Sequence, residues 1–367
     1  MLSETDRRKR AYRTSTGRYR GRVDRRPTIS DVAQLAGVHR STAARALSPS
    51  ASGMLRPETV VRVTQAADRL GYSTNTLARG LRTSRSQTVG VLLPDLNNPL
   101  FPPIVRGIED ALLPHGYTAL IASTDNDAER ERVYFQALLG RQVDGFIIAT
   151  ARDQDPVLDE ARRRGIAVVL INRTNTARDF PLVTADDREG VRAAVRHLVE
   201  LGHRRIAHLT GPDGVSSSTM RRSAFREAIA EHGLPAEDAP ILPGAGFTED
   251  AGRVGAEALL VRSLRPTAIF AANDLIALGA LRAIQAHGLS CPEDISVVGF
   301  NDMRFADAFS PPLTTVHVPH QLLGTEAGGL ILEQLGRPDP VGKSILLPVT
   351  LTVRGSTGAP RPSAAGE

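Results

Sequence analysis

Seven short apolar runs recur downstream of residue 87, and they alternate with stretches of helical spacing. The runs read VGVLLPD, YTALIAS, VDGFIIA, IAVVLIN, RIAHLTG, TAIFAAN and ISVVGF. Unbroken apolar runs of this length between helices are typical of parallel β-strands that are buried on both faces in βαβ units. Because roughly 270 residues are too many for one open sheet, residues 87–358 (the body) are predicted to form an α/β fold of two side-by-side lobes with a cleft between them.

Upstream of the body, two short helices are predicted around a glycine. Thr28 and Asp31 have the spacing of a capping box, and Gly37 is placed to end the first helix. The apolar face of that helix is predicted to contain Ile29, Val32, Leu35 and Ala36. Two short helices around a glycine turn form a helix-turn-helix, a motif whose second helix can enter the major groove of DNA. The candidates for DNA contact on the second helix are Arg40, Ser41, Thr42 and Arg45.

A third helix and a weaker fourth segment follow. Pro57 suits the first position of the third helix and Gly71 suits its end, so residues 27–74 (the head) are predicted to form a small all-α domain. Residues 75–86 begin with Asn75, a favourable N-cap, but they span little more than two helical turns and contain a glycine. Such a segment is marginal as an isolated helix, so it is predicted to be a hinge helix and linker.

The charge distribution separates head from body. Residues 1–87 contain 18 Lys and Arg against 6 Asp and Glu, whereas the remainder contains 27 against 34. A basic head on an acidic body is expected of a nucleic-acid-binding protein. Residues 1–26 carry ten of the basic residues without an apolar period, which predicts a disordered basic arm. The arm either makes extra contacts with DNA phosphates or is a solvated tail. A third alternative is that translation of the native protein begins nearer Val23.

Motifs in both regions match one known family. In the head they are Asp31-Val-Ala-Gln-Leu-Ala-Gly-Val38, Ser41-Thr-Ala-Ala-Arg45 and the segment from Asn75 to Leu81. In the body they include Asn98-Pro-Leu-Phe101, Asn172-Arg173, Asn273-Asp-Leu-Ile-Ala-Leu-Gly279 and the segment from Pro292 to Phe300. These motifs resemble the lactose-repressor (LacI/GalR) family of bacterial transcription regulators. The chain departs from the family pattern at His39, where a serine cap is usual, and at Asn301, where aspartate is usual.

The resemblance implies a fold and a set of DNA contacts. It implies a recognition helix in the major groove and a hinge helix whose Leu81 wedges into the minor groove, with Asn75 and Ala78 as further contacts. For the body it implies the periplasmic-binding-protein-like fold, with the chain crossing between lobes near Val183, 301–310 and 338–343. Residues 359–367 are rich in Pro and Ala and are predicted to be a disordered tail.

Polar and aromatic residues follow several of the predicted strands. Ligands of open α/β sheets bind beyond the carboxyl ends of the strands, so these residues are candidates for effector binding. They are Asp95, Asn97 and Phe101 after the first run, Asp125 and Asn126 after the second, Asn172 and Arg173 after the fourth, and Asn273 and Asp274 after TAIFAA. The family resemblance adds Arg221. Carboxylates, amides and guanidinium groups beside an aromatic ring suit a polyhydroxylated ligand, which predicts a sugar or sugar phosphate.

Structural roles are the alternatives for three of these residues. Asp274 suits a helix N-cap, Phe101 suits the core, and Arg173 could pair with a surface acid. No Walker loop or G-x-S-x-G elbow occurs in the sequence, and the closely spaced His317 and His320 lack further metal ligands. No catalytic residue, metal site or cofactor is therefore predicted.

The favoured function is a homodimeric repressor that binds double-stranded operator DNA under the control of a small effector. The single Cys291 excludes an internal disulfide and no apolar run has membrane-spanning length, which predicts a cytoplasmic protein without membrane contact. The alternative is a solute-binding transport module, or an enzyme, on the same two-lobed fold. A transport receptor needs a signal peptide and has no use for the head.

Overall fold

The computed structural model describes residues 27–47, 55–72, 85–177, 179–336 and 342–361. The chain divides into two compact units, Met1–Ser84 and Arg85–Glu367, which contain the head and the body respectively. The predicted arm (1–26), the hinge residues Asn75, Ala78 and Leu81, and positions 362–367 of the predicted tail lie outside the described residues. Within the described ranges, no helix is long and apolar enough to cross a membrane.

The head contains the helices α1 (Ile29–Ala36), α2 (Arg40–Ala46) and α3 (Pro57–Leu70). The capping box predicted for α1 is present, because Thr28 N donates to Asp31 Oδ2 at 2.7 Å and Asp31 N donates to Thr28 Oγ1 at 3.4 Å. Gly37 and Gly71 end α1 and α3 with φ of 62°, a left-handed conformation that glycine adopts without a steric penalty. The helix-turn-helix prediction is confirmed.

The core of the head is small, and each of the three helices contributes one buried face to it. Val32, Ala43 and Val63 are fully buried at its centre. Leu35 was predicted to lie on the apolar face of α1, but its side chain is 50% exposed. The buried stripe of α1 has the i, i+3, i+4, i+7 spacing that starts at Ile29, and Leu35 lies about a third of a turn away from it.

The body alternates strands and helices. Its strands are β1 (Thr88–Leu93), β2 (Thr118–Ser123), β3 (Gly145–Ile148), β4 (Ala167–Ile171), β5 (Leu182–Ala185), β6 (Ile206–Thr210), β7 (Ile241–Pro243), β8 (Ala268–Ala271), β9 (Ser296–Asn301), β10 (Thr314–His317), β11 (Ser344–Leu347) and β12 (Thr350–Thr352). Its α-helices are α4 (Phe101–Leu112), α5 (Ala128–Gly140), α6 (Pro156–Arg164), α7 (Asp187–Glu200), α8 (Ser216–Glu231), α9 (Glu249–Leu260), α10 (Asp274–Ala286) and α11 (His320–Leu335). All seven predicted apolar runs are strands.

The strands form two six-stranded sheets of the same topology, which confirms the two-lobed prediction. The first lobe has the order β11-β5-β4-β3-β1-β2 and the second has β12-β10-β9-β8-β6-β7. Every strand pair is parallel except β10 with β12, which is antiparallel. In the first sheet β1 lies between β2 and β3, so the next two strands along the chain lie on opposite sides of β1. In the second sheet β6 lies between β7 and β8 in the same way. Such switch points are where open α/β sheets bind ligands.

The chain crosses between the lobes at three places, two of which differ from the prediction. The first crossing follows β5, which contains the predicted Val183. The second follows His317, because β10 extends the second sheet before α11 packs on the first lobe, so the prediction of 301–310 was wrong. The third lies between β11 and β12, after the predicted range 338–343. The missed strands β10, β11 and β12 have only three or four residues each, and their alternation is too short to recognise.

Close helix contacts fix the helices that begin at the cleft. In the first lobe, a β-carbon on Gly324 of α11 would overlap the carbonyl oxygen of Ile104 in α4. In the second lobe, a β-carbon on Gly279 of α10 would overlap the carbonyl oxygen of Glu249 in α9. Glycine is required at both positions because the backbones approach so closely. These contacts therefore position the first turns of α4 and α10, which carry residues of the site.

Candidate ligand cleft and nucleic-acid interface

A cavity of about 570 Å³, open mouth included, lies between the two lobes of the body. It is lined from the first lobe by Pro94, Asp95, Asn98, Leu100, Phe101, Asn126, Asn172 and Arg173. From the second lobe it is lined by Ser217, Arg221, Gly246, Phe247, Thr248, Asn273 and Asn301. The residues follow the carboxyl ends of strands, as expected for an open α/β sheet.

The structure brings most of the predicted effector residues together in this cavity. They are Asp95, Phe101, Asn126, Asn172, Arg173, Arg221 and Asn273. Three others do not line it. Asn97 is exposed and donates its N–H to Asp95 Oδ1 at 2.8 Å, Asp125 forms an ion pair with Arg130 on the surface, and Asp274 is buried behind the cavity.

Arg173 is a buried cation that forms no ion pair with the carboxylates of the described residues. Its side chain is 5% exposed, Nη1 donates to Asn126 Oδ1 at 3.0 Å, and Nε has no hydrogen-bond partner among the described residues. Burial, together with Arg152, lowers the pKa of the Arg173 guanidinium to about 10, and Glu131 opposes this shift. Arg173 lines the cavity, so its guanidinium group is a candidate ligand contact.

The backbone turn before Arg173 directs this side chain. Asn172 has φ of 63°, and Arg173 N donates to Ile171 O at 2.6 Å across it. A two-residue hydrogen bond around a positive φ has the features of a γ-turn, which is rare and strained. Strained backbone of this kind persists where the surrounding structure enforces it, and it is concentrated at functional sites.

Arg221 reaches the same cavity from α8 but is neutralised inside the protein. Its Nε and Nη2 donate to Asp187 Oδ1 at 3.0 and 2.8 Å, and Nη1 donates to the carbonyl oxygen of Ala272. The guanidinium carbon also lies 3.7 Å from the ring centroid of Phe300, a cation–π contact. Burial raises the pKa of the Asp187 carboxyl, and Arg221 opposes the rise. Two of the five N–H groups of Arg221 remain for a ligand.

Two phenylalanine rings line the cavity, one from each lobe. Phe101 is the first residue of α4 and is almost fully buried. Phe247 lies in the loop between β7 and α9, and it packs so closely on Gly211 that a β-carbon there would overlap its ring. The side chain of Asn273 holds this loop, because Nδ2 donates to Phe247 O at 3.3 Å while Oδ1 accepts from Ile276 N and caps α10. Aromatic rings together with amides suit a sugar, whose C–H face packs on an aromatic ring.

The candidate DNA contacts on α2 have different exposures. Arg40, Ser41 and Arg45 are exposed, whereas Thr42 is half-buried. His39, which stands in the usual serine position, caps α2 itself through Nδ1, which accepts from Ser41 N at 3.3 Å. The same ring nitrogen lies 2.8 Å from Ser41 Oγ. An exposed helix face with two arginines can present guanidinium groups to guanine edges.

Comparison with known proteins identifies the family. The model of "Bacterial regulatory proteins, lacI family" matches residues 28–75, and that of "Periplasmic binding protein-like domain" matches residues 195–357. Catabolite control protein A of Priestia megaterium is 31% identical over 331 residues, which cover 90% of this chain and 99% of that protein. The chain belongs to the LacI family.

Two solved structures of transcription regulators share the fold of this chain. The lac repressor dimer bound to operator and the anti-inducer ONPF has a TM-score of 0.80 at 29% identity, covering 91% of this chain and 100% of that chain. The complex of the transcriptional regulator CelR with cellobiose has a TM-score of 0.69 at 32% identity, covering 90% of this chain and 100% of that chain. The likeness therefore extends over head and body.

In this LacI-family body, Asn301 lines the cavity and Asp274 supports it. The N-cap of α10 is Asn273 rather than Asp274. Asp274 is 1% exposed; its Oδ2 accepts from Met303 N at 2.6 Å and its Oδ1 from Thr315 Oγ1 at 2.5 Å. Burial raises the pKa of Asp274 to about 7. Asp274 thus anchors the segment at Met303, which follows β9, and the last residue of β9, Asn301, has φ of 113° and lines the cavity.

A second buried network supports the first-lobe side of the cavity. Glu131 accepts from Thr150 Oγ1 and from Arg152 Nη1, the latter at 3.0 Å. Arg152 Nη2 donates in turn to Asn126 O at 2.8 Å. Burial, together with the charge of Asp155, raises the pKa of Glu131 to about 7. This network positions Asn126, which has φ of 59° and faces Arg173.

The lining residues that sequence reasoning did not propose as effector contacts are Pro94, Asn98, Leu100, Ser217, Gly246, Phe247, Thr248 and Asn301. Asn98 belongs to the segment that supplied Asp95 and Phe101, so the strand-end argument could have included it. Phe247 and Thr248 follow β7, whose three residues are too few to predict. Ser217 lies in the first turn of α8, one helical turn before Arg221, and the spacing from Arg221 was the available signal.

Proposed function

We propose that this LacI-family protein is a transcriptional repressor that binds operator DNA as a dimer and whose operator affinity depends on a sugar-like effector in the cleft. The observation that carries the proposal is the cavity, to which both lobes contribute amides, a guanidinium group and an aromatic ring. The named contents of the similar structures, operator and anti-inducer in one and cellobiose in the other, support the same function. A DNA-binding regulator acts where the chromosome is, which favours the cytoplasm.

The control mechanism follows from the position of the cavity. A ligand that contacts Arg173 in the first lobe and Arg221 or Phe247 in the second is bound best at one lobe arrangement. Ligand binding therefore favours that arrangement by its differential affinity for the two states. The same free energy couples the ligand to operator binding, because linkage is reciprocal.

The head supplies the DNA contacts in this proposal. Arg40, Ser41, Thr42 and Arg45 of α2 read the major groove, and Asn75, Ala78 and Leu81 of the hinge contact the minor groove. Among these, the exposed arginines are the strongest candidates for base recognition, since arginine binds O6 and N7 of guanine with two hydrogen bonds. A dimer then presents two heads to a pseudo-palindromic operator.

Replacing Arg45 by alanine tests the reading role of α2. We expect the variant to lose about 1 to 3 kcal/mol of binding free energy on operator DNA, with little change on random DNA of the same length and salt concentration. Fluorescence anisotropy titrations on both DNAs measure the two affinities. Equal losses on operator and random DNA would assign Arg45 to phosphate contact and remove its reading role.

Other uses of the fold are less well supported. A transport module or an enzyme would share the two-lobed body, but the chain aligns with a catabolite control protein over 99% of that protein, head included. The lac repressor structure that it resembles is likewise bound to DNA. Regulation is therefore the function that accounts for both regions.

A further inference from the structure

A second cavity, the crossing cavity, lies beside the first crossing between the lobes and outside the ligand cleft. Its volume is about 1120 Å³ with the open mouth included, against about 570 Å³ for the cleft measured in the same way. Its lining comes from the edge strand β11 and its neighbour β5 in the first lobe, and from the starts of α7 and α8 in the second. The two cavities share only Asn172 and Ser217 among the described residues, so the crossing cavity is a separate site.

One wall of the crossing cavity is apolar. It contains Leu182 of β5, Ile345 and Leu346 of β11, and Met220 of α8. Leu346 is 59% exposed, although its side chain is aliphatic. Methionine is flexible and polarizable, so Met220 can adapt to apolar groups of different shapes. Covering this wall with the apolar part of a ligand removes apolar surface from water, which favours binding.

The polar side chains of the crossing cavity offer hydrogen-bond acceptors. Asp186 caps α7, where its Oδ1 accepts from Glu189 N at 3.0 Å, and Asp187 Oδ1 accepts from Nε and Nη2 of Arg221. The Oδ2 atoms of the two aspartates accept no hydrogen bond from the described residues. Ser217 is 6% exposed, and its hydroxyl has no partner within the described ranges either. Three polar side chains of the lining therefore have hydrogen-bonding capacity that the protein does not use.

The charges around these acceptors favour a cation. Arg188 is the one cation that the described residues contribute to the lining, and it forms an ion pair with Glu227. Arg221 neutralises Asp187, but no ion pair neutralises Asp186 in the described part of the chain. The N-terminus of α7 offsets only part of this charge, since a helix end carries about half an elementary charge. An ammonium group supplies both positive charge and N–H donors, and charge-assisted hydrogen bonds are stronger than neutral ones.

We propose that the crossing cavity is a second ligand site, which binds an organic amine with an apolar body. The ammonium group donates to the free Oδ2 atoms of Asp186 and Asp187, and the apolar body covers Met220 and Leu346. The inference goes beyond the proposed function, because it concerns a cavity outside the effector cleft. Such a ligand contacts both lobes, and it shares the Asp187 carboxylate with Arg221, which lines the cleft. Binding in the crossing cavity is therefore coupled to the lobe arrangement.

Three probes of similar shape test the charge preference of the crossing cavity. Calorimetric titrations of the full-length protein at pH 7 and constant ionic strength compare benzylamine, which is protonated, with benzyl alcohol and benzoate. We expect benzylamine to bind about tenfold more tightly than benzyl alcohol, the ratio that one charge-assisted hydrogen bond supplies, and benzoate not to bind. Benzyl alcohol or benzoate that bound as tightly as benzylamine would overturn the proposal. Absence of benzylamine binding at about 10 mM would also overturn it.

Asp186→Asn tests the role of the carboxylate. Asparagine is also a favourable N-cap, so the variant removes the charge without removing the cap of α7. We expect it to lose the preference for benzylamine over benzyl alcohol. Asp127→Asn is the matched control and should keep the preference, because Asp127 caps α5 in the same way and lines neither cavity. An equal preference in the wild type and Asp186→Asn would overturn the proposal.

Three further variants locate the bound probe. Leu346→Ser removes part of the apolar wall, whereas Val353→Ser changes a similarly exposed residue outside the crossing cavity. We expect Leu346→Ser to weaken benzylamine binding and Val353→Ser to leave it unchanged. Phe247→Ala alters the effector cleft alone and should also keep benzylamine binding. Unchanged binding in Leu346→Ser, or loss of binding in Phe247→Ala, would place the probe outside the crossing cavity and overturn the proposal.

Operator binding tests the coupling, and this readout alone rests on the proposed function. Anisotropy titrations of the full-length protein on operator DNA are made with and without saturating benzylamine. We expect benzylamine to change the operator affinity of the wild type but not that of Asp186→Asn. A wild type that binds benzylamine with unchanged operator affinity would overturn the coupling. Absence of operator binding without any ligand would instead contradict the proposed function.

Discussion

Asn273 and Asp274 are adjacent in the chain but have different roles at the cleft. Asn273 lines the cavity, caps α10 and holds the Phe247 loop. Asp274 points away and accepts hydrogen bonds from Met303 and Thr315. Neighbouring residues at a helix start project about 100° apart, so a sequence pattern that marks both cannot tell which one faces the ligand. The end of β9 contributes a further lining residue, Asn301.

The buried carboxyl of Asp274 predicts a pH dependence of stability. Its pKa in the folded protein is raised to about 7, whereas the unfolded value is about 3.9. The folded state therefore binds more protons between these values, and its stability decreases as pH rises from about 4 to about 7. Asp274→Asn keeps an acceptor for Met303 N and a donor towards Thr315 Oγ1, but it does not titrate. We expect the wild type to lose stability relative to this variant across that interval.

Urea unfolding at pH 5, 6, 7 and 8 measures this difference. Glu131 titrates in the same direction, but it is present in both proteins and cancels. If the free energy of unfolding varied with pH in parallel for the wild type and Asp274→Asn, the result would contradict a buried, titrating Asp274. Asp274→Ala serves as a second comparison, because it leaves Met303 N and Thr315 Oγ1 without their partner and should cost about 1 to 3 kcal/mol at every pH.

At the scale of elements, α4 and α11 are packed through glycine. Gly324 of α11 lies against the carbonyl of Ile104, and Gly107 of α4 lies against the carbonyl of Gln321. The helix α4 begins at Phe101, so this contact sets the position of an aromatic wall of the cavity. It also fastens α11, which follows the second crossing, to the first lobe. The packing of one helix pair thus connects the cleft with a lobe crossover.

Gly324→Ala tests this contact, and Gly329→Ala is its control on the same helix. A β-carbon at position 324 would overlap backbone atoms, whereas nothing lies within 4 Å of one at position 329. We expect Gly324→Ala to destabilise the body by about 1 to 3 kcal/mol, as overpacking does. Gly329→Ala should be neutral or stabilising by up to about 1 kcal/mol, because alanine favours the helix. Equal effects of the two substitutions on urea unfolding would contradict the close-packing account.

At the scale of the whole molecule, sequence patterns predicted the elements better than their connections. Six of the seven long apolar runs are interior strands, which are continuously apolar because they are buried on both faces, whereas the seventh, β2, lies at a sheet edge and is half-exposed. The remaining strands β5, β7, β10, β11 and β12 are short or half-exposed and gave no usable period. Two lobe crossings were misplaced for that reason, since they follow β10 and β11.

In the candidate site, too, some residues could be predicted from the sequence and others could not. Residues directly after long strands, such as Asp95, Asn126 and Arg173, were predictable because strand ends converge in a parallel sheet. Phe247 follows the short β7, and Asn301 depends on a positive φ that no residue pattern reveals. Which arginine is neutralised also required the structure, because Asp187 and Arg221 are far apart in sequence.

The central claim is that a ligand in the cleft controls operator binding by the head. The most direct measurement is an anisotropy titration of the full-length protein on operator DNA, with and without a ligand that calorimetry shows to bind. Phe247→Ala is the paired variant, because it removes a cavity wall in the body and no residue of the head. We predict that ligand changes the operator affinity of the wild type at least tenfold, while Phe247→Ala binds operator normally but does not respond. A wild type that binds the ligand in the cleft with unchanged operator affinity would contradict the account.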